Sequence, residues 1–237
     1  MLNQISPTRI ILVFGLQPVF VFFFLYIAYL IFKRKITQAT KVLLIFYILT
    51  GFGLIFNMVA VLITLTKIEW ISFLSYAIMS YFVFIPQIFL VLFILKLLNN
   101  PVGFNKKKQN IYFILFCIIT LLIIMIPGGI TVNESTNWAP RYSWVFLIIV
   151  YIFYSSFIFI PILVNLIKLL KTFEDKSLRR RLLLFSYGTI GVMIGVYGAA
   201  LYNAWDEPTY RLIWSLIQLF LIPTSSLLIY YGIGKNL

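Results

Sequence analysis

Histidine is absent from the 237 residues, and cysteine occurs once, as Cys117. The first absence removes imidazole metal ligands, axial haem ligation, imidazole general-base catalysis and a phospho-accepting histidine from this chain. The second excludes an intrachain disulfide. Acidic residues are also scarce, 6 against 19 lysines and arginines, and no charge of either sign lies deep within the long apolar runs. Buried carboxylates and histidines are the usual means of proton relay within a membrane, so a proton pump or proton-coupled carrier is not expected. The last apolar run contains no lysine, which excludes a retinal Schiff base of the microbial rhodopsin kind. No catalytic constellation is visible, and the expectation is that the chain is not an enzyme and uses no cofactor or metal.

What is present is apolar surface. The chain is 62% hydrophobic and 11% charged with a mean hydropathy of +1.04, against about 45 to 50% and about 25% in soluble domains. A helix crossing about 30 Å of hydrocarbon needs roughly 20 apolar residues, and lipid tolerates no unpaired backbone, so each such run must be helical. Seven runs qualify: Ile10 to Phe32, Val42 to Leu65, Ile71 to Leu95, Ile111 to Ile126, Trp144 to Ile167, Leu182 to Ala204, and Leu212 to Ile233. The fourth is shortest, stopped by Pro127-Gly128-Gly129. Met1 to Arg9 has no basic stretch, and no small-residue cleavage site follows, so the first run is expected to remain as the first helix.

Charge sets the direction. All lysines and arginines except Arg9, Lys67, Arg141 and Arg211 fall on one side of the seven runs, and those four share their side with Glu69, Glu134, Asp206 and Glu207. Basic residues accumulate in cytoplasmic loops. The expected fold is therefore an all-α, polytopic, seven-transmembrane helix bundle forming a single domain in the plasma membrane, with the N-terminus outside and the C-terminus cytoplasmic. The net charge of +13 then suits an anionic lipid surface rather than nucleic acid.

Several features bear on function. Trp70, Trp138, Trp144, Trp205 and Trp214 all fall at outer helix ends, as an interfacial belt or as the rim of an aromatic mouth. Six polar residues, Gln17, Asn57, Tyr76, Tyr197, Asn203 and Gln218, are placed in the outer half. They would line a pocket for a small neutral or amphipathic ligand if they converge, or join helices by hydrogen bonds if they do not. Gly188, Gly191, Gly195 and Gly198 recur at helical spacing on one face of the sixth run, a surface for close helix packing. Pro18, Pro86, Pro161 and Pro223 are expected to kink or loosen four spans. Lys106, Lys107 and Lys108 in one cytoplasmic loop, and Arg179, Arg180 and Arg181 closing the long loop from Lys168 to Arg181, would contact anionic lipid or a partner protein.

The second half carries a family likeness. An outer loop ending in Trp138 to Trp144, a cytoplasmic loop closed by Arg179-Arg180-Arg181, and a last span reading Leu221-Ile222-Pro223 followed by Tyr230 and Ile233 resemble the seven-helix N-terminal sensor region found ahead of many prokaryotic histidine kinases. The likeness implies a sensor or receptor module, but this sequence stops where a kinase would begin, so either the output would pass to a cytoplasmic signalling protein in trans or the chain is a fragment. G-protein-coupled receptors fit less well, since Leu95-Lys96-Leu97-Leu98 replaces their motif after the third span. PQ-loop carriers repeat the Pro86-Gln87 pair in their second half, and this chain does not. Two other expectations stand beside the sensor: a facilitator or lipid-handling transporter for an uncharged solute, and an accessory subunit of a membrane complex. Expected partners are the bilayer, the signalling protein and further copies of the chain in a homo-oligomer.

Overall fold

The computed structural model describes residues 7–34, 37–98, 106–173 and 175–234. Seven helices are long and apolar enough to cross a membrane: α1 (Ile11–Phe32), α2 (Gln38–Thr66), α3 (Glu69–Leu97), α4 (Lys107–Ile124), α5 (Trp144–Thr172), α6 (Lys176–Ala204) and α7 (Pro208–Ile233). The chain is a multi-pass membrane protein built as a helical bundle. Between α4 and α5 a short antiparallel hairpin pairs β1 (Ile130–Thr131) with β2 (Arg141–Tyr142), Ile130 facing Tyr142 and Thr131 facing Arg141.

Helix starts follow from the residues that can accept orphan backbone protons. Thr37 and Thr40 satisfy each other's backbone before α2. Ser143 accepts from the Phe146 N–H before α5, and Asp175 from the Ser177 and Leu178 N–H groups before α6. This last cap corrects one expectation. Among its described residues the segment from Lys168 to Arg181 is mostly helix, because α5 runs on to Thr172 and Asp175 starts α6 at Lys176. Lys168 and Lys171 lie on the last turns of α5, and Arg179, Arg180 and Arg181 on the first turns of α6. At 29 residues α6 is about 43 Å long at 1.5 Å per residue, enough to carry its arginines beyond the hydrocarbon layer. The helix ends otherwise lie within a few residues of the expected spans, with α4 stopping at Ile124 ahead of the Pro-Gly-Gly turn.

Burial singles out two central helices. In α3 and α6, 67% and 56% of the most apolar window is buried, against 33% or less in the other five. Successive helices run in alternating directions, as cross-helix pairs show. Gln17 meets Asn57, the Lys96 ammonium donates to Gln38, Phe89 packs on Phe113, and Tyr112 donates to the Phe157 carbonyl. One end therefore collects Lys33 and Arg34, which follow α1, and the described lysines and arginines of α2, α3, α4, α5 and α6. The other collects the tryptophans and the hairpin. Lys35, Glu174 and Lys235, and the side chain of Lys106, lie outside the described residues.

The prolines are accommodated by widened or broken turns. Wide π turns at Ile11–Leu16 and Ser155–Phe159 lead into Pro18 and Pro161, the helix breaks at Ile85 before Pro86, and Pro223 sits within α7. Proline cannot donate to the carbonyl four residues back, and near Pro161 and Pro86 a tyrosine of another helix supplies a donor. The Phe157 carbonyl, four before Pro161, receives the Tyr112 hydroxyl. At Pro86, the Ile88 N–H turns to the Ile85 carbonyl at 3.2 Å, and the Phe84 carbonyl takes the Tyr154 hydroxyl at 3.2 Å instead. The Phe82 carbonyl faces Gly53 of α2, where an added methyl group would stand 3.0 Å from the oxygen.

Candidate functional site

At the tryptophan-bearing end, α3 presents Ser72, Ser75, Tyr76 and Ser80, all buried. The spacing of 72, 76 and 80 aligns three of them along one helix face. Small hydroxyls here leave room for two incoming groups. Arg9, just ahead of α1, donates to the Tyr76 hydroxyl, and two of its guanidinium nitrogens lie 3.3 Å from the Trp138 carbonyl in the loop between the hairpin strands. Tyr142, on β2, shares a 3.0 Å hydrogen bond with Ser80. Burial pushes the Tyr142 phenol above its ordinary titration range, and hydrogen bonding with Ser80 and Asn203 opposes that rise. The Ser72 hydroxyl, one turn from Tyr76, has no hydrogen-bond partner.

The hairpin closes over this cluster as a strap. Ile130, Val132 and Tyr142 are buried beneath it. Gly129 is needed where the strap leaves α4, because a methyl group there would meet the Phe146 ring at 2.8 Å. At the far tip, Asn133 and Thr136 cap each other, and the chain then passes through Asn137 and Trp138 with φ of +49° and +55°. A bulky residue in the left-handed region is held at a cost of about 1–3 kcal/mol, and here the Trp138 carbonyl is the group that Arg9 grips. A second tie is electrostatic: Asp206, after α6, lies 3.4 Å from Arg141 and 2.7 Å from Arg211.

The six polar residues expected to line one pocket are distributed over several links. Asn57 donates to Gln17 at 3.1 Å, joining α1 to α2. Tyr197 joins α5 to α6 twice, its hydroxyl 2.6 Å from Ser155 and its carbonyl accepting from Tyr151 at 2.7 Å. The Gln218 amide lies 3.4 Å from the Gly195 carbonyl across α6 and α7. Only Tyr76 and Asn203 come to the strap, with Tyr142 as their common neighbour. Asn203 also donates to the Ala199 carbonyl of its own helix at 3.2 Å.

The cluster is completed by Ser80 and Tyr142, which sequence reasoning did not single out, and by Arg9 and Trp138, which it marked only as an outer charge and a member of the aromatic rim. The partners stand 67, 129 and 62 positions apart along the chain, and no local spacing announces them.

The glycine face of α6 packs on α7. A methyl group at Gly188 would lie 2.5 Å from the Ser225 carbonyl, one at Gly191 2.1 Å from the Ser225 hydroxyl, and one at Gly198 1.8 Å from the Trp214 ring. Gly195 is different, its nearest neighbour being Ile222 at 3.7 Å. Lys107 and Lys108 open α4, and they, Arg179, Arg180 and Arg181 are exposed at the basic end. Among the described residues no three of histidine, cysteine, aspartate and glutamate are placed to hold a metal ion. No protein-family model, curated protein or solved structure matches this chain.

Proposed function

We propose that the chain is a sensor or receptor module of the plasma membrane, with its N-terminus and strap outside and its basic end in the cytoplasm. The observation that carries this reading is the strap itself. Arg9 and Tyr142 tie one extramembrane hairpin to α1 and α3, and Tyr142 also borders α6. A ligand or bilayer property that favours the open or the closed strap would bias the position of α6. Only such a difference in affinity between two states can shift their populations. The widened turns before Pro18 and Pro161 supply places where α1 and α5 can bend. At the other end α6 exposes Lys176, Arg180 and Arg181, which a cytoplasmic partner would read.

Topology is tested by placing single cysteines, Ser135→Cys and Ser177→Cys, in a Cys117→Ala background and labelling intact cells with a membrane-impermeant maleimide. Position 135 should label and 177 should not; the reverse pattern defeats the orientation. Function is tested by co-purification in mild detergent, comparing the wild type with Arg9→Gln and Tyr142→Phe. Retention of a soluble signalling protein, altered by either substitution, supports the sensor. If purified protein instead carries solute into vesicles without such a partner, it is a facilitator. If it brings only another membrane subunit, it is an accessory protein.

A further inference from the structure

Where α5 turns into α6, the surface is hollowed into an open recess of about 430 Å³ lined by Ile167, Leu170, Lys171, Phe173 and Arg179. Two cations and three apolar side chains thus share one cavity. The neighbouring residues on α5 show which way it faces: Ile162, Leu166 and Leu169 are buried in the bundle, while Ile160, Val164 and Ile167 are exposed. The exposed residues, followed by Lys171, succeed one another at helical spacings of four, three and four, so they form a single stripe. That stripe runs from the middle of the span to the recess. The carboxylate of Asp175, in the turn beside it, is engaged by the Ser177 and Leu178 N–H groups.

We infer that this recess is a binding site for one anionic glycerophospholipid. Its phosphate would sit between Lys171 and Arg179, and one acyl chain would lie along Ile167, Val164 and Ile160. A planar guanidinium and a point-charge ammonium both suit phosphate oxygens. Basic pockets at the helix ends of membrane proteins favour anionic headgroups in this way. The apolar stripe selects a lipid over a soluble anion, because a free phosphate would leave it unused. It also selects a lipid over a cytoplasmic protein, because the stripe descends into the hydrocarbon layer. The site is at the opposite end of the bundle from the strap and is independent of the sensor reading.

Native mass spectrometry of the full chain, titrated with phosphatidylglycerol and with phosphatidylcholine of the same acyl chains, tests it. The expected result is one saturable phosphatidylglycerol per chain. Lys171→Gln with Arg179→Gln should weaken it about tenfold or more, as expected from loss of two surface cations. Lys107→Gln with Lys108→Gln, on the same face, should change it less than about threefold by the same reasoning. Lys171→Arg should retain binding, and its retention shows that the double variant fails for charge rather than folding. Glycerol phosphate should not compete. Equal loss in the Lys107/Lys108 variant, equal binding of the two lipids, or full competition by glycerol phosphate would overturn the assignment.

Discussion

The indole of Trp214 in α7 occupies the space that any side chain at Gly198 of α6 would require: a methyl group there would stand 1.8 Å from the ring. Tyr210, stacked on Trp214 with ring centroids 6.2 Å apart, donates its hydroxyl to the Gly198 carbonyl at 3.1 Å. The two contacts hold α6 and α7 together at the tryptophan-bearing end. Near the other end, Gly188 meets the α7 backbone directly.

Replacement of these glycines should therefore divide by position. Gly198→Ala forces the ring or the helix to move and should destabilise the protein by about 1–3 kcal/mol. Gly195→Ala, with open contact to Ile222, should cost less than about 0.5 kcal/mol. Trp214→Leu combined with Gly198→Ala should recover part of the loss. Thermal unfolding in detergent measures all three, and an equal response at 195 and 198 would contradict the packing.

The tyrosines that serve proline-freed carbonyls should matter more than those that duplicate existing bonds. Tyr112→Phe and Tyr154→Phe each leave a carbonyl at a broken turn without a partner in an apolar interior, at about 1–2 kcal/mol. Tyr151→Phe removes a bond to Tyr197 within continuous helix and should cost about half as much or less. Denaturation in mixed micelles ranks the three.

The Asp206 bridge should contribute little at physiological salt. Its partners Arg141 and Arg211 leave half and nearly a third of their side chains exposed, and exposed pairs are worth about 0–1 kcal/mol. Asp206→Asn should lower the unfolding temperature measurably at low ionic strength and not at 1 M salt. An effect that persists at 1 M salt would mean the bridge does more than its exposure allows.

Glu207 gives a pH dependence with a defined sign. Its carboxylate accepts the Tyr210 N–H at 2.5 Å, and this hydrogen bond chiefly holds its pKa below the ordinary value of 4.5. A lowered value in the folded state means stability that is present above pH 4.5 and lost as pH falls through the folded value. Wild type should thus exceed Glu207→Gln in thermal stability at neutral pH, and the two should converge as pH falls below the folded value of Glu207. Parallel curves across that range would show that the cap carries no net charge effect.

Much of the architecture is legible in the chain because membrane insertion is governed by length and polarity along it, both local properties. Seven apolar runs gave seven helices with ends misplaced by a few residues, and the spacing of Gly188, Gly191 and Gly198 marked the face that α7 covers. The extension of α6 through Arg179-Arg180-Arg181 was harder to see, because a charged helical turn beyond the hydrocarbon has the composition of a loop; Asp175 was the signal. Tertiary structure alone decided which polar residues meet. Gln17 and Asn57 pair with each other while Tyr197 and Gln218 take separate partners, since each helix can rotate only one face inward, and hydropathy does not reveal which. Arg9, Tyr76, Ser80, Trp138 and Tyr142 come together because the hairpin folds back over α3, a long-range closure that no local pattern encodes.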